Sequence, residues 1–250
     1  MRLRNFSFLP LLLLLAMGCS GPRVLQVASR DGRWYQVDST TGNAVRLTDM
    51  LAPYKKGVDT QMKVVIAHTD GPLTKAQPES TLGNLVADAQ LMAGRQLDPK
   101  VDAAVSNYGG LRLPFISPGT ITRGTIYELM PFDNTVCIVE MPGEVLQTYC
   151  NSMARRKGWP VSGLQFTIED TSAKDIRING ETIDPNRVYK LALNDYNARG
   201  GDNCDFLVPL RKRFTTYFIR DAIMQYLASY EAKGQAYHPT LDQRVRHAAD

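Results

Sequence analysis

Apolar and polar positions change period repeatedly along the chain, and each change marks a switch between helix and strand. The strongest helical stripe follows Ser80-Thr81, where Leu82, Leu85, Val86, Ala89, Met92 and Ala93 recur three or four residues apart. Asn84, Asp88 and Arg95 fall largely on other positions of that helix. A second stripe, Ile219, Ala222, Ile223, Tyr226, Leu227 and Tyr230, predicts a helix over about 215–232. Short apolar runs at 63–68, 101–105, 135–141, 163–169 and 188–194 have strand length instead.

Turn residues set the boundaries. Asn179-Gly180 splits the run 176–183 into a hairpin, since both residues tolerate the positive φ of a type I′ turn. Asp31-Gly32 predicts a small hairpin over 24–37. Thr48-Asp49 reads as a helix start with Pro53 in its first turn, where proline is tolerated. A short helix at about 125–130 is stopped by Pro131, which leaves Phe132 just beyond it, and Pro142-Gly143 opens a helix running toward Lys157. The tail after Gly234 is polar and predicts weak packing. Strands and helices mixed in this order predict an α/β domain with a short N-terminal extension.

The first residues have another purpose. Arg2 and Arg4 precede an apolar stretch from Leu9 to Met17 that is too short to span a bilayer and has the layout of an export signal. It ends in Ala16-Met17-Gly18-Cys19-Ser20, which resembles the lipobox of bacterial lipoproteins, with Ala16 where leucine is more usual. The resemblance implies a signal over 1–18 and a lipid on Cys19 that anchors the exported chain in the bacterial cell envelope, on the periplasmic side or at the outer membrane, with a plain signal peptide or an uncleaved anchor as alternatives. An extension with a linker-like helix would fill 19–62 and the main domain 63–250.

Charge and cysteine content then exclude several classes of function. Without Arg2 and Arg4, 27 Lys+Arg stand against 25 Asp+Glu, too even a balance to attract nucleic acid. Arg211-Lys212-Arg213 reads as a solvated loop or helix approach. With Cys19 lipidated, Cys137, Cys150 and Cys204 permit at most one disulfide and fit no zinc spacing; Cys137 and Cys150 fall at core positions.

Two loops carry the candidate chemistry. Tyr196-Asn197-Ala198-Arg199-Gly200-Gly201-Asp202 follows one apolar run, and Ser106-Asn107-Tyr108-Gly109-Gly110-Leu111-Arg112 follows another. A buried strand holds such a loop, and its glycines admit close approach. Tyr196 and Phe132 are two rings able to hold a flat heterocycle between them, although a loop ring also often serves as core. Asp202 can accept hydrogen bonds from a vicinal diol or cap its own turn. Arg112 offers a planar fork suited to phosphate or to a surface ion pair.

Taken in order, Ser80-Thr81-Leu82-Gly83-Asn84-Leu85, Asn107 to Arg112, Leu129-Met130-Pro131-Phe132-Asp133-Asn134 and Tyr196 to Asp202 resemble the C-terminal substrate-binding domain of the 5′-nucleotidase and UDP-sugar hydrolase family. The resemblance covers about 63–230 and implies a layered α/β fold with mixed β-sheets flanked by helices. It implies that Phe132 and Tyr196 sandwich a base, Asp202 meets the ribose hydroxyls, Asn107 a base or sugar edge, and Arg112 the phosphate side, with Gly109, Gly200 and Gly201 admitting close approach. Pro78 stands where many relatives have arginine, a departure on the phosphate side.

In that family a separate metallophosphatase domain holds two metal ions and performs hydrolysis. This chain has three histidines, His68, His238 and His247, none in a cluster with metal-ligand spacing. It also has no Gly-x-Ser-x-Gly elbow, P-loop or dinucleotide fingerprint. The expectation is therefore a nucleoside- or nucleotide-recognition domain with no catalytic residue, metal or cofactor of its own. It would work with a separate metallophosphatase subunit that carries the divalent metals, with 46–62 as a contact. The alternatives are a non-catalytic nucleoside-binding protein that scavenges or senses, and a diverged remnant that keeps the fold without the ligand.

Overall fold

The computed structural model describes residues 32–38, 41 and 45–248. Cys19, the export signal and the first strand of the expected 24–37 hairpin lie outside the described residues. Residues 32–37 form no strand. The chain divides into two compact units, Met1–Asp49 and Met50–Asp250.

Helix α1 (Val45–Met62) starts three residues before Thr48, and Pro53 lies in its middle rather than in its first turn. Val45, Arg46 and Leu47 are adequate helix residues, so the helix begins upstream of the capping signal. It has no buried residue.

The second unit is built around a five-stranded sheet. Its strands are β3 (Ala103–Val105), β6 (Thr135–Pro142), β7 (Val161–Ser162), β11 (Val188–Asn194) and β12 (Lys212–Phe218), in the order β12-β6-β11-β3-β7. β11 runs parallel to β3, and the other pairs are antiparallel. Alternation along the strands feeds two cores. Cys137, Val139, Met141, Leu191 and Leu193 face one side, while Val136, Ile138, Ala104 and Ala192 face the other. A sheet buried on both faces explains why its strands read as nearly unbroken apolar runs.

The first face is covered by α4 (Gly143–Arg155), through Leu146, Tyr149, Cys150 and Met153, and by a second sheet. That sheet contains β8 (Leu164–Glu169), β9 (Ser172–Ile178), β10 (Glu181–Thr182) and β13 (Val245–His247), ordered β10-β9-β8-β13. The β9–β10 turn has Asn179 at φ 51° and Gly180 at φ 86°, the geometry that the Asn-Gly pair predicts. The second face is covered by α2 (Thr81–Leu97) and α6 (Ile219–Glu231), with small ladders β1 (Val65–Thr69) on β5 (Gly119–Thr122) and β2 (Leu73–Thr74) on β4 (Phe115–Ile116). Ser80 caps α2 by accepting from the Gly83 N–H. The result is the α/β architecture that the pattern predicts, with the mixed sheets that the family resemblance implies.

Three expectations change. Residues 215–218 belong to β12, not to the following helix, because Phe214, Thr215, Thr216 and Tyr217 are strand formers placed beside the open edge of β6. Lys212 opens that strand and is not solvated: its Nζ donates to the carbonyls of Ala198, Leu207 and Val208. The tail is packed. Tyr237 and Val245 are buried, β13 joins β8 in parallel, and the Arg244 guanidinium grips Asp88 with two hydrogen bonds, at 2.6 and 3.0 Å. That contact also accounts for Asp88, while Asn84 is buried and donates to Glu79 and to the Thr240 carbonyl, so α2 is enclosed on more sides than its stripe suggests.

Candidate functional site

Strand directions bring the loops together. β3 and β11 are parallel neighbours, so the segments after Val105 and after Asn194 leave from the same end of the sheet. β6 is antiparallel to β11, with Asn194 opposite Val136, so the residues just before β6, Phe132 to Asn134, arrive at that end too. Carboxyl ends of parallel strands are a common place for ligand sites in α/β sheets.

At this end lies a cavity of about 350 Å³ lined by Asn107, Gly109, Gly110, Arg112, Phe132, Asn134, Tyr196 and Asp202. Six of the eight candidate binding residues meet in it. Gly200 and Gly201 do not line it, and their work is inside the loop. Gly200 has φ 99°, and a side chain on Gly201 would come within 2.5 Å of the Tyr196 ring. The glycine pair thus makes room for the protein's own aromatic ring. Asn134 and Gly110 complete the wall; both are within the motifs, and a polar residue just before a strand is the available signal for Asn134.

Each loop is fixed locally. The Asn194 carboxamide oxygen accepts from the Asn197 N–H at 2.7 Å and caps α5 (Asp195–Ala198), which carries Tyr196. Asn194 Nδ2 donates to Asn107 Oδ1 at 2.7 Å, and Asn107 Nδ2 donates to Asp202 Oδ2 at 2.7 Å. Asn197 Nδ2 donates to the same Asp202 oxygen at 3.3 Å, and with the Asn197 backbone N–H on Asn194 this closes a ring of four residues. Asn107, Asn194 and Asn197 are buried, so these bonds form away from water, where losing one is most destabilising. Gly110 is needed beside this ring, because a β-carbon there would lie 2.8 Å from Asn107 Oδ1.

Asp202 itself adopts φ 56°, ψ 36°, and Asn203 also has φ 56°. Asp and Asn visit this left-handed region more readily than other non-glycine residues, yet the conformation costs on the order of 1 kcal/mol each. The ring of asparagines over-determines it. The Tyr196 hydroxyl lies 3.4 Å from Asp202 Oδ1 and accepts from the Asp202 N–H at 3.3 Å.

The other jaw has a different support. Helix α3 (Arg123–Leu129) begins with a Thr122–Thr125 capping box and ends before Pro131. Phe132 follows on an exposed turn, and Arg220 of α6 donates to its carbonyl at 3.3 Å and pairs with Asp133. The Arg112 guanidinium lies 4.8 Å from the Phe132 ring centroid, within cation–π range. Phe132 and Tyr196 keep 42% and 46% of their surface exposed, so both present apolar area to the cavity mouth.

Beside Arg112, the Lys75 ammonium donates to the Leu111 carbonyl at 2.7 Å and stands over the Tyr108 ring. Burial and the positive charge of Arg112 hold its pKa below the usual lysine range. The arrangement offers two rings, one fixed carboxylate, carboxamides and a guanidinium around a small cavity. That set can stack a flat ring, accept from hydroxyls and face an anion. Among the described residues no group of three or more His, Cys, Asp or Glu side chains is arranged to hold a metal ion, and no helix is long and apolar enough to cross a membrane.

Comparison with known proteins agrees with the motifs. The model of the family described as 5′-nucleotidase, C-terminal domain, matches residues 65–209. The chain is 28% identical over 169 residues to Protein UshA of Escherichia coli, covering 63% of this chain and 29% of that protein. It is 30% identical over 158 residues to cell wall protein Lmo0130 of Listeria monocytogenes, covering 56% of this chain and 20% of that one. The chain thus spans less than a third of the length of either protein. Among solved structures, the 5′-nucleotidase precursor of Thermus thermophilus superposes with a TM-score of 0.71 at 24% identity, over 82% of this chain and 44% of that one, a likeness of fold.

Proposed function

The chain belongs to the 5′-nucleotidase C-terminal domain family, and from that premise we propose that it recognises a nucleoside or nucleotide. The base lies between Phe132 and Tyr196, the ribose hydroxyls meet Asp202 and Asn107, and Arg112 faces the phosphate side. One observation carries this reading: a cavity of about 350 Å³, the size of a small ligand, gathers residues from three separated motifs around two exposed rings and one fixed carboxylate.

Hydrolysis in this reading is the work of a metallophosphatase partner on a separate chain, which supplies the divalent metals. The lengths of the relatives are in keeping with a catalytic part distinct from this domain, since the chain matches less than a third of either curated protein. Cys19 carries the lipid that holds the protein in the bacterial cell envelope, on the periplasmic side or at the outer membrane, in keeping with the apolar stretch and lipobox-like Ala16 to Ser20.

A thermal-shift screen of the protein against adenosine, AMP and a UDP-sugar tests recognition, because a ligand that binds only the native state raises apparent stability with the logarithm of its saturation. A rise in Tm that grows with concentration is expected for at least one of them. No shift with any nucleoside, nucleotide or nucleotide sugar sinks the reading. Metal-dependent, EDTA-sensitive phosphate release by the purified chain alone overturns its partner half.

A further inference from the structure

The Asp202 loop is held from behind by a residue outside every recognition motif. The Asp202 carboxylate is engaged by Asn107, Asn197 and Tyr196, whereas its backbone carbonyl accepts from Arg156 Nη2 at 2.5 Å. Arg156 caps the C-terminus of α4, 46 positions away in sequence. Its other terminal nitrogen donates to Ser152, at 3.0 Å to the carbonyl and 2.6 Å to the hydroxyl, and the guanidinium lies 5.6 Å from the Trp159 ring centroid. Ser152 and Trp159 are buried, so the seat is rigid.

Two further features point to a purpose. Among the described residues no carboxylate lies within ion-pair distance of Arg156, so its charge is directed at carbonyls, and charge-assisted hydrogen bonds are the strong ones. The Arg156 carbonyl in turn accepts from Gln77 Nε2 at 2.5 Å, and the same nitrogen donates to the Gly158 carbonyl, which ties the seat to the segment before α2. A left-handed Asp202 between Gly200 and a left-handed Asn203 is the kind of backbone that persists only where its surroundings hold it.

We propose that Arg156 is a positioning residue for sugar recognition: by fixing the Asp202 main chain it aims the carboxylate at a ligand carrying a vicinal diol. This rests on Asp202 being the sugar-facing carboxylate. Preorganisation raises affinity because the loop need not be ordered when the ligand arrives. Base stacking depends on it less, since Phe132 is held by Arg220 and Tyr196 stands on α5, capped by Asn194.

Calorimetric titration of wild type, Arg156→Met, Arg156→Lys and Arg155→Gln with adenosine, 2′,3′-dideoxyadenosine and adenine tests this. Arg155 is an exposed neighbour of the same charge and serves as the control. In Arg156→Met, adenosine is expected to bind about tenfold more weakly, the scale of one hydrogen bond to a charged group. Dideoxyadenosine and adenine should change less than about twofold on that same scale, so the preference for the diol collapses. Arg156→Lys should restore part of it and Arg155→Gln should match wild type. An unchanged preference in Arg156→Met overturns the proposal, as does an equal loss for all three ligands, which marks a merely structural role. Wild-type protein that binds none of the three overturns the nucleoside reading as well.

Discussion

Asn107 donates to the Asp202 carboxylate across 2.7 Å, although the two residues are 95 positions apart. The bond joins the loop after β3 to the loop after β11, and its other half, Asn194 Nδ2 to Asn107 Oδ1, is fully buried. Asn107→Ala therefore leaves a buried donor on one side and a less anchored carboxylate on the other. Denaturant unfolding should show a loss of about 1–3 kcal/mol, and the variant should bind nucleoside more weakly than wild type. Full retention of both would mean that the two loops are not coupled.

Gly201 tests the loop from the ligand's side without removing a polar group. A β-carbon there would lie 2.5 Å from the Tyr196 ring, so Gly201→Ala must push the ring out of its seat. The ring is nearly half exposed, so it can give way at little cost to the fold. The expected outcome is weaker nucleoside binding with little change in the unfolding midpoint. Gly109→Ala, with only a distant contact at 3.9 Å, should leave stability nearly unchanged.

The contrast between these glycines marks how far the sequence is legible. Strand runs such as 188–194 and the Asn179-Gly180 turn show in the chain because their causes are local: burial on both faces and backbone tolerance of positive φ. The pairing of Asn107 with Asp202 does not, since register across a parallel β3–β11 pair is a tertiary fact. The end of the chain hides its packing for the same reason. Arg244 looks like a surface charge until α2 brings Asp88 beside it, and Lys212 looks solvated until three loop carbonyls close around its ammonium.

Arg244 and Asp88 make that clasp measurable. Their side chains are only 12% and 19% exposed, and the hydrogen bonds that Arg244 donates to Asp88 and Asp242 push its pKa upward despite the opposing effect of burial. Removing one partner of a poorly solvated pair leaves the other charge uncompensated, at a cost of about 3–5 kcal/mol when burial is complete. Asp88→Ala should lower stability toward that range and expose the segment around β13 to proteolysis, with limited digestion and mass spectrometry as the readout. A variant as stable as wild type would place the tail outside the cooperative unit.

The three described thiols set an alkaline limit. Burial pushes Cys137 and Cys204 up to about 11 from an ordinary value near 9, and drives Cys150 higher still. Between those values the unfolded chain releases thiol protons that the folded chain keeps, so stability present below about pH 9 is lost as pH rises toward 11. Urea midpoints measured from pH 8 to 11 should fall, and Cys204→Ala should flatten part of that slope. At neutral pH an aromatic disulfide reagent should leave Cys137, Cys150 and Cys204 unmodified until denaturant is added, since all three are buried and free.

Phe132 and Tyr196 decide whether the cavity is a base clamp. Each ring is nearly half exposed on the same cavity, so both are available to a flat ligand there. Stacked bases lose about 1–3 kcal/mol when such a ring is truncated, which is roughly five- to 150-fold in Kd. Phe132→Ala and Tyr196→Ala should both fall in that range for adenosine, with little change in stability. Tyr196→Phe separates ring from hydroxyl. It gives up only the 3.3 and 3.4 Å contacts to Asp202, so most of the affinity should survive if stacking is the main contribution. If Tyr196→Phe binds as poorly as Tyr196→Ala, the hydroxyl rather than the ring is what the ligand needs, and the clamp is wrong on that side. In Phe132→Ala the Arg112 guanidinium also loses the ring it lies over at 4.8 Å. AMP and adenosine should then be compared in parallel: an equal loss for both assigns the effect to the base, while a larger loss for AMP assigns part of it to the displaced arginine.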